Sequence, residues 1–292
     1  MSAGSELSVV VATTTQLVSH IQALHGTAPT ATAALGRACS GALLMTQTKG
    51  GDEQTLSLRF NGGGPLGNLR CVAQGRFVKG FVDEPACDPP LRSDGKLNVG
   101  AAVGTAGVLT VVRQHPQLPP YTGAVELQSG EVADDLAFYL STSEQVNSAL
   151  ALGVSIGRDL SVTAAGGYLI AVLPFASDAT LSRLEANLAT LPSVTAMINA
   201  GLDAAGIAAR LLDGIGEAPG IAELVPAYGP CEPADLEERM QRAVVALGRQ
   251  EIASIMEQEG KIEVSCPYCV TKLLLDGEAL IKRAVAEKSA AI

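Results

Sequence analysis

The segment KIEVSCPYCVTKLLL carries two cysteines, Cys266 and Cys269, separated by two residues and flanked by strand formers. Two thiolates at that spacing are half of a tetrahedral zinc site, and the same spacing also suits a redox dithiol. A third cysteine, Cys231, shares the last quarter of the chain, whereas Cys39, Cys71 and Cys87 are scattered through the N-terminal half. Cys39 falls in the small-residue helical run TATAALGRACSGALLM and reads as a buried core thiol. Six cysteines in 292 residues are too sparse for a disulfide-stapled scaffold, so a reducing compartment is expected.

Other chemistry is thin. His20, His25 and His115 have no HExxH or other ligand spacing, and no nucleophile is paired with a convincing base. NGGGPLG lacks both the Lys-Ser/Thr ending of a phosphate loop and the GxGxxG spacing ahead of a helix, so it reads as a turn. Glu131, Asp134, Asp135 and Glu144 read as solvated faces, caps or turn hydrogen bonds rather than an acid/base pair.

The elements that must position the cysteines follow from composition and pattern. With 47% hydrophobic residues, 3% aromatics and no Trp, the chain can bury a core, but one built from Ala, Val, Leu and Gly. A net charge of -10 and a pI near 4.8 argue against a nucleic-acid partner. The tail from Cys231 onward is acidic as well, with 11 acidic and 8 basic residues. No apolar run reaches the roughly 18 residues that cross a bilayer, and no signal-peptide pattern is visible, so no membrane partner is expected.

LSVVV from Leu7 reads as a strand, and ATTTQLVSHIQALHG as a helix capped from its Thr cluster with Leu17, Ile21 and Leu24 on one face. A second helix spans about Ala31 to Met45. From Gln54 to Leu127, short apolar runs alternate with Gly and Pro turns, an antiparallel sheet pattern. EVADDLAFYLSTSEQV gives a helix, and SVTAAGGYLIAVLP a strand ending at Pro174. The predicted class is α+β, a mainly antiparallel sheet core with packed helices. Residues 178–215 read as several short helices broken by Pro192 and glycines, a connector packed on the sheet, and IAELVPAYGP as a turn and short extended run. The expected domains are a core over 1–177, a helical linker over 178–230 and a cysteine module over 231–292. In the module, LEERMQRAVVAL and RQEIASIMEQEG predict two helices before a hairpin around the Cys pair.

The stretches HGTAPTATAALGR, GGGPLGNLRCVAQG, PYTGAVELQSGEVADDLAFYLSTSEQ, AAGGYLIAVLP and GKIEVSCPYCVTK resemble the redox-regulated 33-kilodalton heat shock chaperone family (HslO family). The resemblance covers nearly the whole chain, and the SGE and SEQ segments at Ser129 to Glu131 and Ser143 to Gln145 make it specific. It implies an ATP-independent holdase, not an enzyme. In such a protein four thiolates hold zinc when reduced, and oxidants form disulfides and expel the metal. The module and linker then unfold and expose apolar surface to unfolded client proteins, with a homodimer possible on activation. The connector residues Leu181, Leu184, Leu188, Met197, Ile198, Leu211 and Leu212 would be shielded at rest.

This chain departs from the family pattern at the metal. The family's CxC ahead of the module's first helix falls here on Pro233 and Asp235, with Cys231 two residues earlier. Three readings stay open. Zinc binds Cys231, Cys266 and Cys269 plus Asp235, Glu232 or water, in a site weaker than one of four thiolates. Alternatively no metal binds and packing alone holds the hairpin, or Cys266 and Cys269 are a redox disulfide pair, as in a thiol-disulfide oxidoreductase. A weakened or absent zinc lets heat release the module, with oxidation a smaller trigger. Family members usually carry a further extended segment where only MSAGSE precedes the first strand here. That suggests a trimmed chain or the processed form of an organelle-targeted protein. The expected location is the cytoplasm, or a chloroplast or mitochondrion once a transit peptide is removed.

Overall fold

The computed structural model describes residues 6–48, 53–215, 225–231 and 233–290. The first five residues, Glu232 and the first part of IAELVPAYGP lie outside the described residues. The chain divides into two compact units, Met1–Tyr228 and Gly229–Ile292.

The first unit has the expected α+β architecture, arranged as two sheets around one helix. Strands β1 (Leu7–Thr13), β7 (Ser148–Ile156) and β8 (Val162–Val172) form an antiparallel sheet in the order β1-β8-β7. The Gly/Pro-punctuated middle supplies β2 (Thr55–Asn61), β3 (Leu69–Gln74), β4 (Phe77–Val82), β5 (Val108–His115) and β6 (Leu118–Glu126). With the two-residue β9 (Ala227–Tyr228) they form a six-stranded sheet ordered β6-β5-β2-β3-β4-β9, in which β4 and β9 are the parallel pair.

Between the sheets runs α2 (Pro29–Thr48), with 16 residues of its 20 buried. A helix buried all round must be lined with small residues if sheets are to approach it from both sides. Ala, Gly, Thr and Ser dominate its sequence for that reason. A Cβ on Gly41 would sit 2.5 Å from Leu136 Cδ1, and one on Gly36 would sit 2.7 Å from Val18 Cγ1.

Helix α1 (Thr15–His25) buries Leu17, Val18 and Ile21, with Leu24 only half-buried. The expected Thr cap is absent: the Thr14 hydroxyl makes no cap bond and pairs instead with the buried Ser40 Oγ at 2.7 Å, which itself donates to the Gly36 carbonyl. A single turn, α3 (Val99–Val103), interrupts the meander, and α4 (Val132–Thr142) follows it.

The acidic residues near α4 are less solvated than their sequence suggests. Asp135 is fully buried, and its Oδ1 accepts the amides of Gln128 (2.7 Å) and Ser129 (3.2 Å). Burial pushes its pKa up against those amide bonds. Glu144 pairs with Arg113 at 2.8 Å, with side chains 4% and 8% exposed, and Arg113 also donates to Gln54 and to the Met45 carbonyl. This buried ion pair replaces the solvated reading of Glu144, since the sheet folds β5 across the turn after α4.

After Pro174 come three helices, α5 (Asp178–Thr190), α6 (Val194–Asn199) and α7 (Ala204–Leu211). Each begins at its own cap: Ser177 accepts from the Thr180 amide, Ser193 from Ala196, and Asp203 from Gly206. These caps, with Pro192, are why the segment forms short pieces instead of one long helix. The three-stranded sheet is apolar on both faces. Val10, Leu150 and Leu169 face the core around α2, and Leu7, Val9, Ala149 and Ile170 face the other way. That second face is covered by Leu184, Val194, Met197, Ile207, Leu211 and Leu212 of the connector, with Leu188 and Ile198 packed alongside. Leu181 is half-buried.

Candidate metal centre

The second unit contains α8 (Pro233–Val245), α9 (Arg249–Glu259), the hairpin β10 (Ile262–Ser265) and β11 (Lys272–Leu275), and α10 (Gly277–Ala290). Its core is small: Val244, Val245, Ile252, Ile262, Leu275, Leu280 and Ala284. Asp276 caps α10, its Oδ1 accepting the amides of Glu278 (3.0 Å) and Ala279 (3.2 Å). Arg283 of α10 pairs with Glu238 of α8 at 2.8 Å.

The cysteine pair sits in the loop that closes the hairpin beyond the Ser265–Lys272 rung. There the Cys266 amide donates to the Thr271 carbonyl and the Val270 amide to the Cys266 carbonyl, both at 2.9 Å. Val270 takes φ 50°, a left-handed turn that a β-branched residue adopts only under constraint. This tight loop brings both sulfurs to one side, Cys266 buried and Cys269 half-buried. Cys231 joins them from the segment ahead of α8, and the three Sγ atoms all lie within 4.8 Å of one another.

Burial alone would push the Cys269 thiol up. The Thr271 hydroxyl at 3.3 Å, the Thr271 amide and the neighbouring sulfurs of Cys266 and Cys231 outweigh it, so the net shift is downward. A thiol that ionises readily beside two others is a donor set for a thiophilic cation. Around zinc, thiolates at about 2.3 Å from the metal stand about 3.8 Å from each other, so only a small contraction separates the observed cluster from that geometry.

Cys231, Cys266 and Cys269 are thus brought together, as their sequence positions suggest. Asp235 is not: it lies exposed in the first turn of α8, outside the cluster. The helix that begins two residues after Cys231 carries its carboxylate into solvent. Glu232, the other candidate carboxylate, is outside the described residues. Sequence reasoning overlooked a second thiol contact altogether. Cys39 and Cys71, both buried, lie with their sulfurs 3.3 Å apart. The alternation of β3, which turns Leu69, Cys71 and Ala73 inward, was the available signal.

The family model for the Hsp33 protein matches residues 1–276. The chain belongs to the Hsp33 family. The 33 kDa chaperonin of Symbiobacterium thermophilum is 42% identical over 270 residues, covering 92% of this chain and 90% of that protein. That of Clostridioides difficile is 36% identical over 282 residues, covering 96% and 95%. The crystal structure of the 33 kDa chaperonin from Thermotoga maritima superposes with a TM-score of 0.85 at 28% identity, covering 98% of this chain and 96% of that one. An Hsp33 chain is a heat-shock chaperone, and these relatives bear chaperone names. Among the described residues, no helix is long and apolar enough to cross a membrane.

Proposed function

We propose that this Hsp33 chain is an ATP-independent holdase whose client surface is the apolar sheet face under α5, α6 and α7. The observation that carries this reading is the cover itself. Three short helices, each with its own cap, shield Leu7, Val9 and Ile170 of a sheet whose other face already completes the core. Helices of this length are marginal alone and stay folded through their packing, so loosening the packing both unfolds them and bares the sheet. The ligands of that surface are unfolded client proteins, and two bared faces could pair as a homodimer. The site of action is a reducing compartment, cytoplasmic or organellar.

In the second unit, Cys231, Cys266 and Cys269 would hold zinc, leaving the fourth position to water or another donor. Bound zinc supplies folding free energy to a unit whose own core is too small to supply much. A three-thiolate set binds less tightly than four, so the unit stands closer to unfolding and heat alone releases it. Oxidation is the lesser trigger. Cys266 and Cys269 close to a disulfide as a hydroperoxide takes their two electrons, and a second bridge has no second partner in the cluster. The dithiol-enzyme reading has less support, because the pair lies in a hairpin loop and not at the helix N-terminus that activates thioredoxin-like thiols.

The test measures zinc per chain and titratable thiols on one sample, then suppression of client aggregation with and without peroxide at low and raised temperature. Heat-activated suppression without oxidant is expected, with no insulin-reducing activity. Strict dependence on oxidant with stoichiometric zinc beforehand would sink the heat trigger, and no suppression under any condition would sink the holdase.

A further inference from the structure

We propose that Cys39 and Cys71 are a second thiol–disulfide couple, inside the core of the first unit, closing to a bond between α2 and β3 with a hydroperoxide as oxidant. The inference is independent of the metal cluster and of the client surface. Its basis is position. The two sulfurs lie 3.3 Å apart and both residues are fully buried. Cys71 faces Gly80 across the β3–β4 ladder. A Cβ on Gly80 would sit 2.8 Å from the Cys71 sulfur and 2.9 Å from the Cys39 sulfur, so the glycine leaves the slot that both sulfurs occupy. A disulfide requires an approach of about 1.2 Å from there, within reach of small side-chain rotations. Two thiols are too few for a metal site, and among the described residues the cluster of metal-ligating groups is the one in the second unit.

One thiolate attacks the O–O bond of hydrogen peroxide, forming a sulfenic acid and releasing hydroxide. The second thiolate attacks the sulfenic sulfur, forming the S–S bond and releasing the other hydroxide. The two thiol protons convert both to water, so two thiols are oxidised and one peroxide is reduced. Burial sets the timing. It keeps the oxidant out and pushes the Cys71 thiol up, with Cys39 adding to the effect. The reaction therefore proceeds in molecules whose α2–β3 packing has opened, and reclosure brings the pair together. Cys266 and Cys269 respond to oxidant in the folded chain, whereas Cys39 and Cys71 respond to oxidant and core opening together. The resulting bond staples the segment from α2 to β3 in chains that have survived such an opening.

The experiment treats the full chain with hydrogen peroxide at graded temperatures up to its melting transition, quenches by alkylation, and maps linkages by mass spectrometry of a non-reducing digest. At room temperature, oxidation of Cys39 and Cys71 is expected to be slower than that of Cys266 and Cys269 by on the order of tenfold or more. Near the transition, the peptide pair linking Cys39 to Cys71 appears, and the linked protein melts higher than its reduced form after cooling. Cys71→Ala abolishes the linked pair and leaves Cys39 open to alkylation. The wild-type time course decides the matter even where that variant folds poorly. The proposal is overturned by sulfinic or sulfonic acids at these positions, by linkage of either to Cys87, or by thiols that persist through the transition.

Discussion

Ile207 on α7 is the most direct handle on the proposed opening. It is fully buried in the cluster formed with Leu7, Ile170, Met197 and Leu211, and it belongs to the cover, not to the core around α2. Replacing it with Ala removes three carbons, about 2.4 kcal/mol of transfer free energy at about 0.8 per methylene. A residual cavity adds to this, although a short helix at the surface collapses more easily than a core helix, so the total is about 3 kcal/mol. That shifts the ratio of covered to bared sheet roughly 160-fold toward the bared form. The onset of client capture should fall by about 10 °C, taking 2–4 °C per kcal/mol for a unit of this size. The assay follows apolar-dye fluorescence and suppression of client aggregation against temperature, beside the melting of the first unit. Leu35→Ala, in α2 and equally buried, is the control: it should lower melting without an earlier onset of capture. If Ile207→Ala lowers melting with no earlier onset of capture, as Leu35→Ala should, the connector helices are a permanent part of the core and the reasoning fails.

Other expectations follow from the same geometry. Cys266→Ser removes the buried member of the thiol cluster and should weaken zinc binding by on the order of 100-fold or more, read by competition with a chromogenic chelator. Chelation of the wild type should melt the second unit while the first keeps its transition. Glu144→Ala leaves Arg113 charged and buried, at a cost of about 3–5 kcal/mol, which calorimetry would report as a first-unit melting point lower by roughly 10 °C or more. Glu6 ties the start of α5 to the start of β1: its carboxylate accepts from the Thr180 hydroxyl and from the Ser177 amide and hydroxyl, and these bonds hold its pKa below the usual carboxylate value of 4.5. A depressed acid contributes stability above its unfolded pKa and loses it as pH falls through the folded value. Glu6→Gln should therefore lower the onset of dye binding near pH 7, and the difference from wild type should fade as acid protonates the wild-type carboxylate.

The sheets were legible because β-alternation and Gly/Pro punctuation act locally, and α2 because its small residues recur without a polar face. Breaks in the connector were legible from Pro192 and the glycines, whereas the caps Ser177, Ser193 and Asp203 that start each helix came from the structure. Long-range pairings were not. Arg113 and Glu144 lie 31 positions apart, and Cys39 and Cys71 lie 32 apart. Each partner alone looks like an ordinary strand, turn or helix residue, and only the folded sheet makes them neighbours. Helix α10 is obscured by Asp276–Gly277, a pair that favours turns, although here the Asp is its cap. At the metal, spacing gave Cys266 and Cys269, but the position of Cys231 depends on the loop before α8, which no periodicity specifies.

If the three thiols hold zinc as proposed, their arrangement also separates heat from oxidation as triggers. Cys266 and Cys269 share one hairpin loop and stay close whenever β10 and β11 remain paired, whereas Cys231 reaches them only through the packing of α8, α9 and α10. Warming that loosens this packing removes one donor and leaves a two-thiolate remnant, which no longer favours metal over solvent. Oxidation works in the reverse order. It closes the local pair first, because the short connection holds those sulfurs at high effective concentration, and thereby removes two donors at once. Heat should therefore release zinc with all three thiols still titratable, and peroxide should release it with one remaining. Zinc release and thiol loss followed on the same sample distinguish the two routes. Equal thiol loss on both would show that warming acts through oxidation and not through the fold.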